Sequence, residues 1–215
     1  MNQRVYTKDA ASLTRFVTTM LWILAGITVV SVGSDVLQLQ LLNSGSLDVA
    51  AAEANDARQS AIGIVYLIAY LVTAVAFLTW IHRANRNARG FGAEHLRFTP
   101  GWAVGWYFVP FMNLVRPYQA MKEIWQASRN PEDWSTQAIP PILGWWWALF
   151  LISGFLAQIT LRLSVRADTV EALRTSTMVS ITAGLVDIPL CIVALTLITN
   201  IFQMQTEFLR WSISQ

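Results

Sequence analysis

The sequence has few charged residues, one cysteine and two histidines. Asp, Glu, Lys and Arg make up 13% of its 215 residues, about half the share typical of a soluble domain. The lone Cys191 excludes a disulfide within the chain, and His82 and His95 lack metal-ligand spacing. Nucleophile-elbow, zinc-protease, paired-cysteine, phosphate-loop and dinucleotide motifs are all missing. We therefore expect no metal, no cofactor and no nameable catalytic residue, and an enzyme is the less favoured class.

The apolar residues, 54% of the chain, are gathered into four long blocks. Each block has roughly the 20 residues that a helix needs to cross the hydrocarbon core of a membrane. Helices are the economical solution there, because every backbone polar group must be satisfied internally. We predict an all-α polytopic membrane protein, a single membrane domain over residues 1–215, with transmembrane helices over about residues 16–36, 61–81, 142–163 and 176–202.

Several helix ends can be placed from local signals. A basic start before the first block is also typical of a cleaved signal peptide, but the block is long and no A-x-A-like site follows, which favours a retained span. Ser46 is a candidate N-cap for a helix that continues through the second span to about Arg89, and Gly90 and Gly92 predict its end. The residues Asp168-Thr169-Val170-Glu171 fit a capping box.

The basic residues predict the orientation. With both termini and the long middle segment on one side, eleven of the fifteen Lys and Arg residues share that side. The positive-inside rule then predicts a cytoplasmic (inner) membrane protein whose termini and segment 82–138 are cytoplasmic. Nine of the ten tryptophans fall at or beyond the inner ends of the predicted spans, which indicates anchoring at that face. Because the basic residues lie at the membrane, we expect no nucleic-acid partner.

The stretch from Trp80 to Ser128 is apolar in part, yet too short in its apolar portion to be a span. Thr99-Pro100 predicts a short helix, Pro110 interrupts it, and Pro117 predicts the start of a second short helix. The pattern predicts a broken helical hairpin between spans two and three. It either lies at the membrane interface or re-enters the membrane.

Basic and amide side chains on this stretch are the candidate binding residues. Arg83 and Arg86, with Asn87 beside them, either anchor the helix end or bind anionic lipid or phosphate. Asn113 and Arg116 lie in the turn between the two short helices, and Glu123 or the Arg83–Arg86 pair are their plausible partners. Such a cluster either holds an anionic or zwitterionic ligand or satisfies itself as a structural network.

Asp187 lies about midway along the fourth predicted span. A carboxylate at that depth is costly and indicates a functional site by default, here for a proton or cation. The alternative is a protonated carboxyl that hydrogen-bonds to Thr73, Tyr70 or Gln158. Asp35, near the outer end of the first span, is interpreted as structural with Arg162 as its partner.

Four motifs resemble those of one known family. They are W-x-x-R-x-x-R-N followed by F-x-P-G-W-A-V-G-W-Y-F-V-P-x-x-N-L-x-R-P-Y, then M-x-E-I-W-x-A-S, and a later W-W-W. They resemble the bacterial membrane family catalogued as domain of unknown function four-three-two-eight. The resemblance implies no activity. It does imply a family signature of Arg83, Arg86, Asn87, Pro100, Gly101, Trp102, Pro110, Asn113, Arg116, Pro117, Tyr118 and Glu123.

Three functions are compatible with this sequence. The first is a non-enzymatic binding or assembly protein. Its ligand is a lipid headgroup, with anionic headgroups included, a small amphiphile, or a membrane-protein partner such as a second copy of this chain. The second is a small proton- or cation-coupled carrier that uses Asp187. The third, a membrane-embedded enzyme, has no identifiable nucleophile and base.

Overall fold

The structure is built from four long helices and a folded segment between the second and the third. The computed structural model describes residues 10–44, 48–165 and 168–213. Its helices, in chain order, are α1 (Ala11–Asn43), α2 (Val49–Gly90), α3 (Pro100–Gly105), α4 (Arg116–Arg129), α5 (Pro141–Val165) and α6 (Val170–Ile213). Three-residue 3₁₀ helices occur at Trp106–Phe108, Met112–Leu114 and Trp134–Thr136.

The predicted fold class is confirmed. Helices α1, α2, α5 and α6 are each long and apolar enough to cross a membrane, and no strand occurs in the described residues. Each contains one predicted span. Helix α2 runs without interruption from before the second span to Gly90, as predicted. Segment 100–129 is divided into short helices, while its position relative to the membrane stays a prediction.

Side-chain oxygens cap the starts of two long helices. In α2, Asp48 Oδ1 accepts a hydrogen bond from Ala50 N at 3.1 Å, and the predicted cap Ser46 lies outside the described residues. In α6, Thr169 Oγ1 accepts from Ala172 N at 3.1 Å. The N-cap is therefore Thr169, and the prediction that placed a capping box on Asp168 is wrong by one position.

The end of α2 follows the glycine signal closely. Gly92 adopts a φ of 103°, its N–H bonds to Arg89 O at 3.1 Å, and Ala93 N bonds to Ala88 O at 3.3 Å. This pair of bonds defines a Schellman motif, in which a left-handed glycine closes the last turn. At α3, Thr99 Oγ1 accepts from Trp102 N at 3.3 Å with Pro100 in the first helical position, as predicted.

The chain divides into two compact units, to which all four long helices contribute. The first unit contains residues up to Thr19, Thr73–Trp147 and the residues from Val193 onward. The second unit contains Met20–Val72 and Ala148–Ile192.

Tryptophans form much of the core of the first unit. Trp80 and Trp146 are almost fully buried. The indole N–H of Trp80 donates to Thr14 Oγ1 at 3.0 Å, and that of Trp147 donates to Leu114 O at 3.1 Å. Trp134 likewise donates to Glu94 O at 2.8 Å. These residues hold helices and loops together, so anchoring in the membrane explains only part of the tryptophan clustering.

Helix α4 is enclosed within the first unit rather than buried along one stripe. The six residues 123–128 are all buried. The Nε2 group of Gln126 donates to Gln137 O at 2.6 Å. The Nε2 group of Gln205, on α6, donates to Ala84 O at 3.0 Å and to Ser128 Oγ at 2.9 Å. Amide side chains therefore satisfy backbone carbonyls where apolar packing cannot.

The second unit is held by close helix contact and neutral polar side chains. A Cβ added at Gly184 of α6 would lie 2.4 Å from Val32 Cγ2 of α1, so glycine permits this approach. Gln38 Nε2 donates to Thr177 Oγ1 at 2.8 Å, and Asn55 Nδ2 donates to Gln38 Oε1 at 3.1 Å. These bonds connect α1, α2 and α6.

Candidate functional site

The loop between α2 and α3 is held from one side by the end of α2. The guanidinium of Arg89 donates from Nη2 to Leu96 O at 2.9 Å and to Phe98 O at 2.8 Å. Asn85, one turn earlier and fully buried, donates to the same Phe98 carbonyl at 3.2 Å. Two carbonyls of an irregular segment thereby gain the partners that helical hydrogen bonding would have supplied.

Glu123 of α4 holds the same loop from the other side. Its Oε2 accepts from Arg97 N at 3.1 Å and from Phe98 N at 3.3 Å, and the residue is only 5% exposed. Burial raises the pKa of this carboxyl, while the two backbone donors and the positive charges of Arg97 and Arg89 act in the opposite direction. Glu123 therefore bonds to backbone, and the prediction that it would be a partner of Asn113 or Arg116 is wrong.

We call the bonds from Arg89 and Glu123 to the backbone of residues 96–98 the clamp. A small cavity opens beside the loop that the clamp holds. Its volume is about 220 Å³, and it is lined by Arg97, Phe98, Trp102, Trp106 and Arg116. The guanidinium carbon of Arg116 lies 6.0 Å from the ring centre of Phe98 and 5.6 Å from that of Trp106. We call this space the Arg97–Arg116 cavity.

Arg116 is positioned by more than its aromatic neighbours. It is half-buried, and its Nη1 donates to Gln119 Oε1 at 3.2 Å. Stacking on aromatic faces orients a guanidinium while leaving its edge, which carries the N–H donors, directed elsewhere. The cavity therefore combines two cationic groups with three aromatic walls.

The other predicted binding residues are not gathered at this cavity. Arg86 is exposed, Arg83 is half-buried and Asn87 is buried, and none of the three belongs to the lining. Asn113 is half-buried, and its backbone N donates to Val109 O at 2.9 Å. The ring of Tyr118 lies 6.5 Å, centre to centre, from that of Trp147.

Sequence reasoning missed the residues that complete the site. Arg97 and Phe98 were overlooked because they sit in a loop without a periodic pattern. One signal was present: Arg97 is the only basic residue between Arg89 and Arg116, and it precedes the predicted helix start at Thr99 by two positions. Asn85 and Arg89 are one helical turn apart, which also places them on a common face.

Large apolar side chains next to the cavity are exposed. Phe108 is 72% exposed and Phe111 is 81% exposed. Phe111 adopts a φ of 62°, a left-handed conformation that is unusual for an aromatic residue. Other exposed apolar residues of the same stretch are Trp102, Met112, Leu114 and Val115. An apolar surface of this kind indicates contact with lipid or another protein.

A second candidate site lies in the second unit around Asp187. Its Oδ1 accepts from Ser153 Oγ at 2.5 Å, and its Oδ2 accepts from the Tyr66 hydroxyl at 3.3 Å. The prediction that Thr73, Tyr70 or Gln158 would be its partners is wrong. Tyr70 does stack on Tyr66, with ring centres 6.2 Å apart.

Asp187 lines a larger cavity within the second unit. The volume is about 470 Å³. Hydroxyl-bearing residues contribute to the lining, together with small and aliphatic residues from all four long helices. Among the described residues, the lining comprises Thr28, Ser31, Val32, Gly63, Tyr66, Leu67, Ala157, Thr160, Leu161, Ser164, Ser180, Ala183, Gly184 and Asp187. We call this space the Asp187 cavity.

Asp35 is satisfied by neutral donors. It accepts from Gln59 Nε2 at 3.2 Å and from Ser180 Oγ at 2.7 Å, and it is buried. The structural interpretation of Asp35 is compatible with these bonds. Its predicted partner Arg162 is wrong, because the described ion pairs do not include the two residues.

Four apolar membrane-crossing helices and a tryptophan-rich segment between the second and third define a class, that of integral membrane proteins with four spans. Residues 43–203 match the family model of DUF4328, a domain of unknown function. Since the match covers most of the chain, the protein belongs to this family, as the resemblance of the central motifs implied. No curated protein and no solved structure matches the chain.

Proposed function

We propose that this integral membrane protein is a non-enzymatic binding protein that recognises the anionic headgroup of a phospholipid at the Arg97–Arg116 cavity. One observation carries the proposal. Arg97 and Arg116 line one small cavity together with Phe98, Trp102 and Trp106. This pairing of cationic donors with amphipathic aromatic rings is what a headgroup phosphate at a membrane surface requires.

The chemistry of the two arginines favours a phosphate ligand. A guanidinium presents a fork of N–H donors that matches the oxygens of a phosphate, and it is less strongly hydrated than an ammonium group. Arg116 makes one described hydrogen bond to protein, through Nη1. The backbone of Arg97 is held by Glu123, so its side chain starts from a defined position.

The size of the cavity limits what can enter it. Its volume of about 220 Å³ is below the roughly 300–1,000 Å³ of pockets that enclose drug-sized ligands. A headgroup phosphate fits this limit if the acyl chains remain outside. The exposed side chains of Phe108 and Phe111, which belong to the same segment, supply an apolar surface on which such chains can lie.

The test is a measurement of bound lipid. We expect the double variant Arg97→Gln/Arg116→Gln to retain at least fivefold less phosphatidylglycerol than the wild-type protein, measured by mass spectrometry after purification in mild detergent. Arg129→Gln is the matched control, since Arg129 is exposed on α4 and does not line the cavity. It removes a positive charge from the same helix and should leave retention unchanged.

Two further arms separate the cavity from general electrostatics. Phosphatidylcholine, which has no net charge, should be retained equally by all variants. The pair Arg83→Gln/Arg86→Gln tests the sequence-based interpretation and should have a smaller effect than the cavity pair, because neither residue lines the cavity. Equal phosphatidylglycerol retention by the wild type and the cavity double variant would rule out the proposal.

We also propose that the termini and segment 82–138 face the cytoplasm across a bacterial inner membrane. The distribution of eleven basic residues against four supports this orientation. An alkaline-phosphatase domain inserted after Ser44 should then be active. An inactive fusion at Ser44 together with an active one near Asp133 would reverse the orientation.

A second candidate function, cation-coupled transport, is favoured by the Asp187 cavity. A carboxylate that lines a cavity among four membrane-crossing helices is a typical element of a transport path. If the protein is a carrier, we expect the uptake of protons into proteoliposomes under a pH gradient to disappear in Asp187→Asn. Uptake that is equal in the wild type and in Asp187→Asn would exclude transport through this residue.

A further inference from the structure

We propose that the second unit holds a binding site for a small organic cation, a protonated amine or a quaternary ammonium, with Asp187 as the counter-ion. The Asp187 cavity supplies the space. This site shares no residue with the Arg97–Arg116 cavity, so it stands or falls independently of headgroup binding. It also requires binding only, so it does not depend on transport.

Asp187 is oriented and still able to accept a ligand. Each of its two oxygens accepts one hydroxyl hydrogen bond, from Ser153 and from Tyr66. An ionised carboxylate offers about four acceptor positions in total. Two positions therefore remain for a cation, and the residue is half-buried at the wall of the cavity rather than sealed within protein.

The lining favours an organic cation over a metal ion. Calcium takes about six to eight oxygen ligands, and magnesium about six in strict geometry, usually with more than one carboxylate. Of the lining residues that the structure describes, Asp187 is the one carboxylate, and several of the others are aliphatic, among them Val32, Leu67 and Leu161. One negative charge within apolar walls matches an ammonium group that carries hydrocarbon substituents.

The aromatic pair beside Asp187 adds to this preference. The rings of Tyr66 and Tyr70 stack with centres 6.2 Å apart, and Tyr66 both lines the cavity and donates to Asp187. Aromatic faces attract quaternary ammonium groups, and the attraction strengthens where water is excluded. A carboxylate and a tyrosine ring at one wall are the usual means by which proteins recognise such cations.

The volume agrees with a ligand of modest size. About 470 Å³ falls within the roughly 300–1,000 Å³ of typical small-molecule pockets. Ser164 and Ser180 add hydroxyl groups to the lining, and both already bond within the unit, to Ser176 and Asp35 respectively. Specificity should therefore come mainly from charge and shape.

The test uses the full-length protein in nanodiscs of phosphatidylcholine and benzyltrimethylammonium as the probe, with binding measured by isothermal titration calorimetry. We expect saturable binding that weakens at least tenfold in Asp187→Asn. Asp35→Asn is the matched control, because it makes the same charge change at a buried carboxylate outside the lining. It should bind within threefold of the wild type.

A steric pair keeps the test decisive if Asp187→Asn does not fold. Ala157→Phe should occupy the cavity and abolish binding while leaving Asp187 intact, whereas Ala148→Phe, elsewhere on α5, should bind normally. Competition by 100-fold excess sodium or potassium should be weak. Wild-type affinity in Asp187→Asn or in Ala157→Phe, or displacement of the probe by sodium, would overturn the proposal.

Discussion

The carboxylates of the two units have different hydrogen-bond partners. In the first unit, Arg89 and Glu123 are charged and bond to the backbone of a loop. In the second unit, Asp35 and Asp187 bond to the side chains of Ser, Gln and Tyr residues. The first unit contains irregular backbone whose N–H and C=O groups need partners, whereas the described backbone of the second unit is mainly helical.

This difference explains which side chains of each unit are still available to bind a ligand. Arg89 and Glu123 use their charged groups to bond the loop backbone and have little capacity left for a ligand. Their role is therefore structural, and the side chains that we propose for binding, Arg97 and Arg116, line the cavity beside the loop. In the second unit, most backbone N–H and C=O groups bond within their own helices. Asp187 therefore combines a positioning role with a surface that faces a cavity.

Removing the Glu123 side of the clamp should have the largest effect on stability. Glu123→Ala leaves Arg97 N and Phe98 N without their acceptor in a buried place, which should lower the free energy of unfolding by about 2–4 kcal/mol. Thermal unfolding in detergent measures the change. Glu123→Gln is the control, since its amide oxygen can still accept, and it should cost less than half as much. Equal losses in both variants would mean that the charge, not the hydrogen bonding, is what matters.

Disturbing the close approach of α1 and α6 in the second unit should have the next largest effect on stability. Gly184→Ala places a Cβ 2.4 Å from Val32 Cγ2, and such overpacking costs about 1–3 kcal/mol. Gly154→Ala on α5 meets no atom within 4 Å and should be neutral or slightly stabilising. The double variant Gly184→Ala/Val32→Ala should recover most of the loss. If the double variant does not recover stability, the loss in Gly184→Ala does not come from a clash with Val32.

A smaller effect is expected at the end of α2. Gly92 has a φ of 103°, and a left-handed conformation costs a non-glycine residue about 1–2 kcal/mol. Gly92→Ala should therefore reduce the unfolding free energy by about that amount, measured by chemical denaturation. Gly101→Ala, which introduces no close contact and lies within α3, should change it little. A neutral Gly92→Ala would show that the Schellman turn can rearrange.

The smallest effect is a pH dependence of the clamp. Burial raises the pKa of Glu123 above its ordinary value of 4.5. The folded state then binds the proton more tightly than the unfolded state, so the contribution to stability is fully present below pH 4.5 and is lost as pH rises through the raised pKa. Relative to Glu123→Gln, the wild type should gain stability as pH falls from 7 toward 4.5. A relative loss over that range would indicate a lowered pKa.

Helix positions and ends were largely predictable from the sequence, because they depend on local chemistry. Long apolar blocks, a Thr99-Pro100 start and a left-handed Gly92 act within a few residues. The capping of α6 was misplaced by one residue because Asp168 and Thr169 are both good caps, and the choice between them depends on where the first turn packs.

Side-chain partners were not predictable to the same degree. Tyr70 was expected to reach Asp187, and Tyr66, one turn away on the same face of α2, does so instead. Periodicity identifies a helix face but not how far one helix slides along another. The Arg97–Arg116 cavity depends on a loop that only the folded positions of Glu123 and Arg89 define.

The clamp has a kinetic consequence. Since the backbone around Arg97 and Phe98 is held by Arg89 on one side and Glu123 on the other, this loop is already formed before the headgroup that we propose as its ligand binds. Association then requires no folding of the loop, and its rate should be set by encounter. Substitutions in the Arg97–Arg116 cavity should accordingly change how long a lipid stays bound far more than how fast it binds.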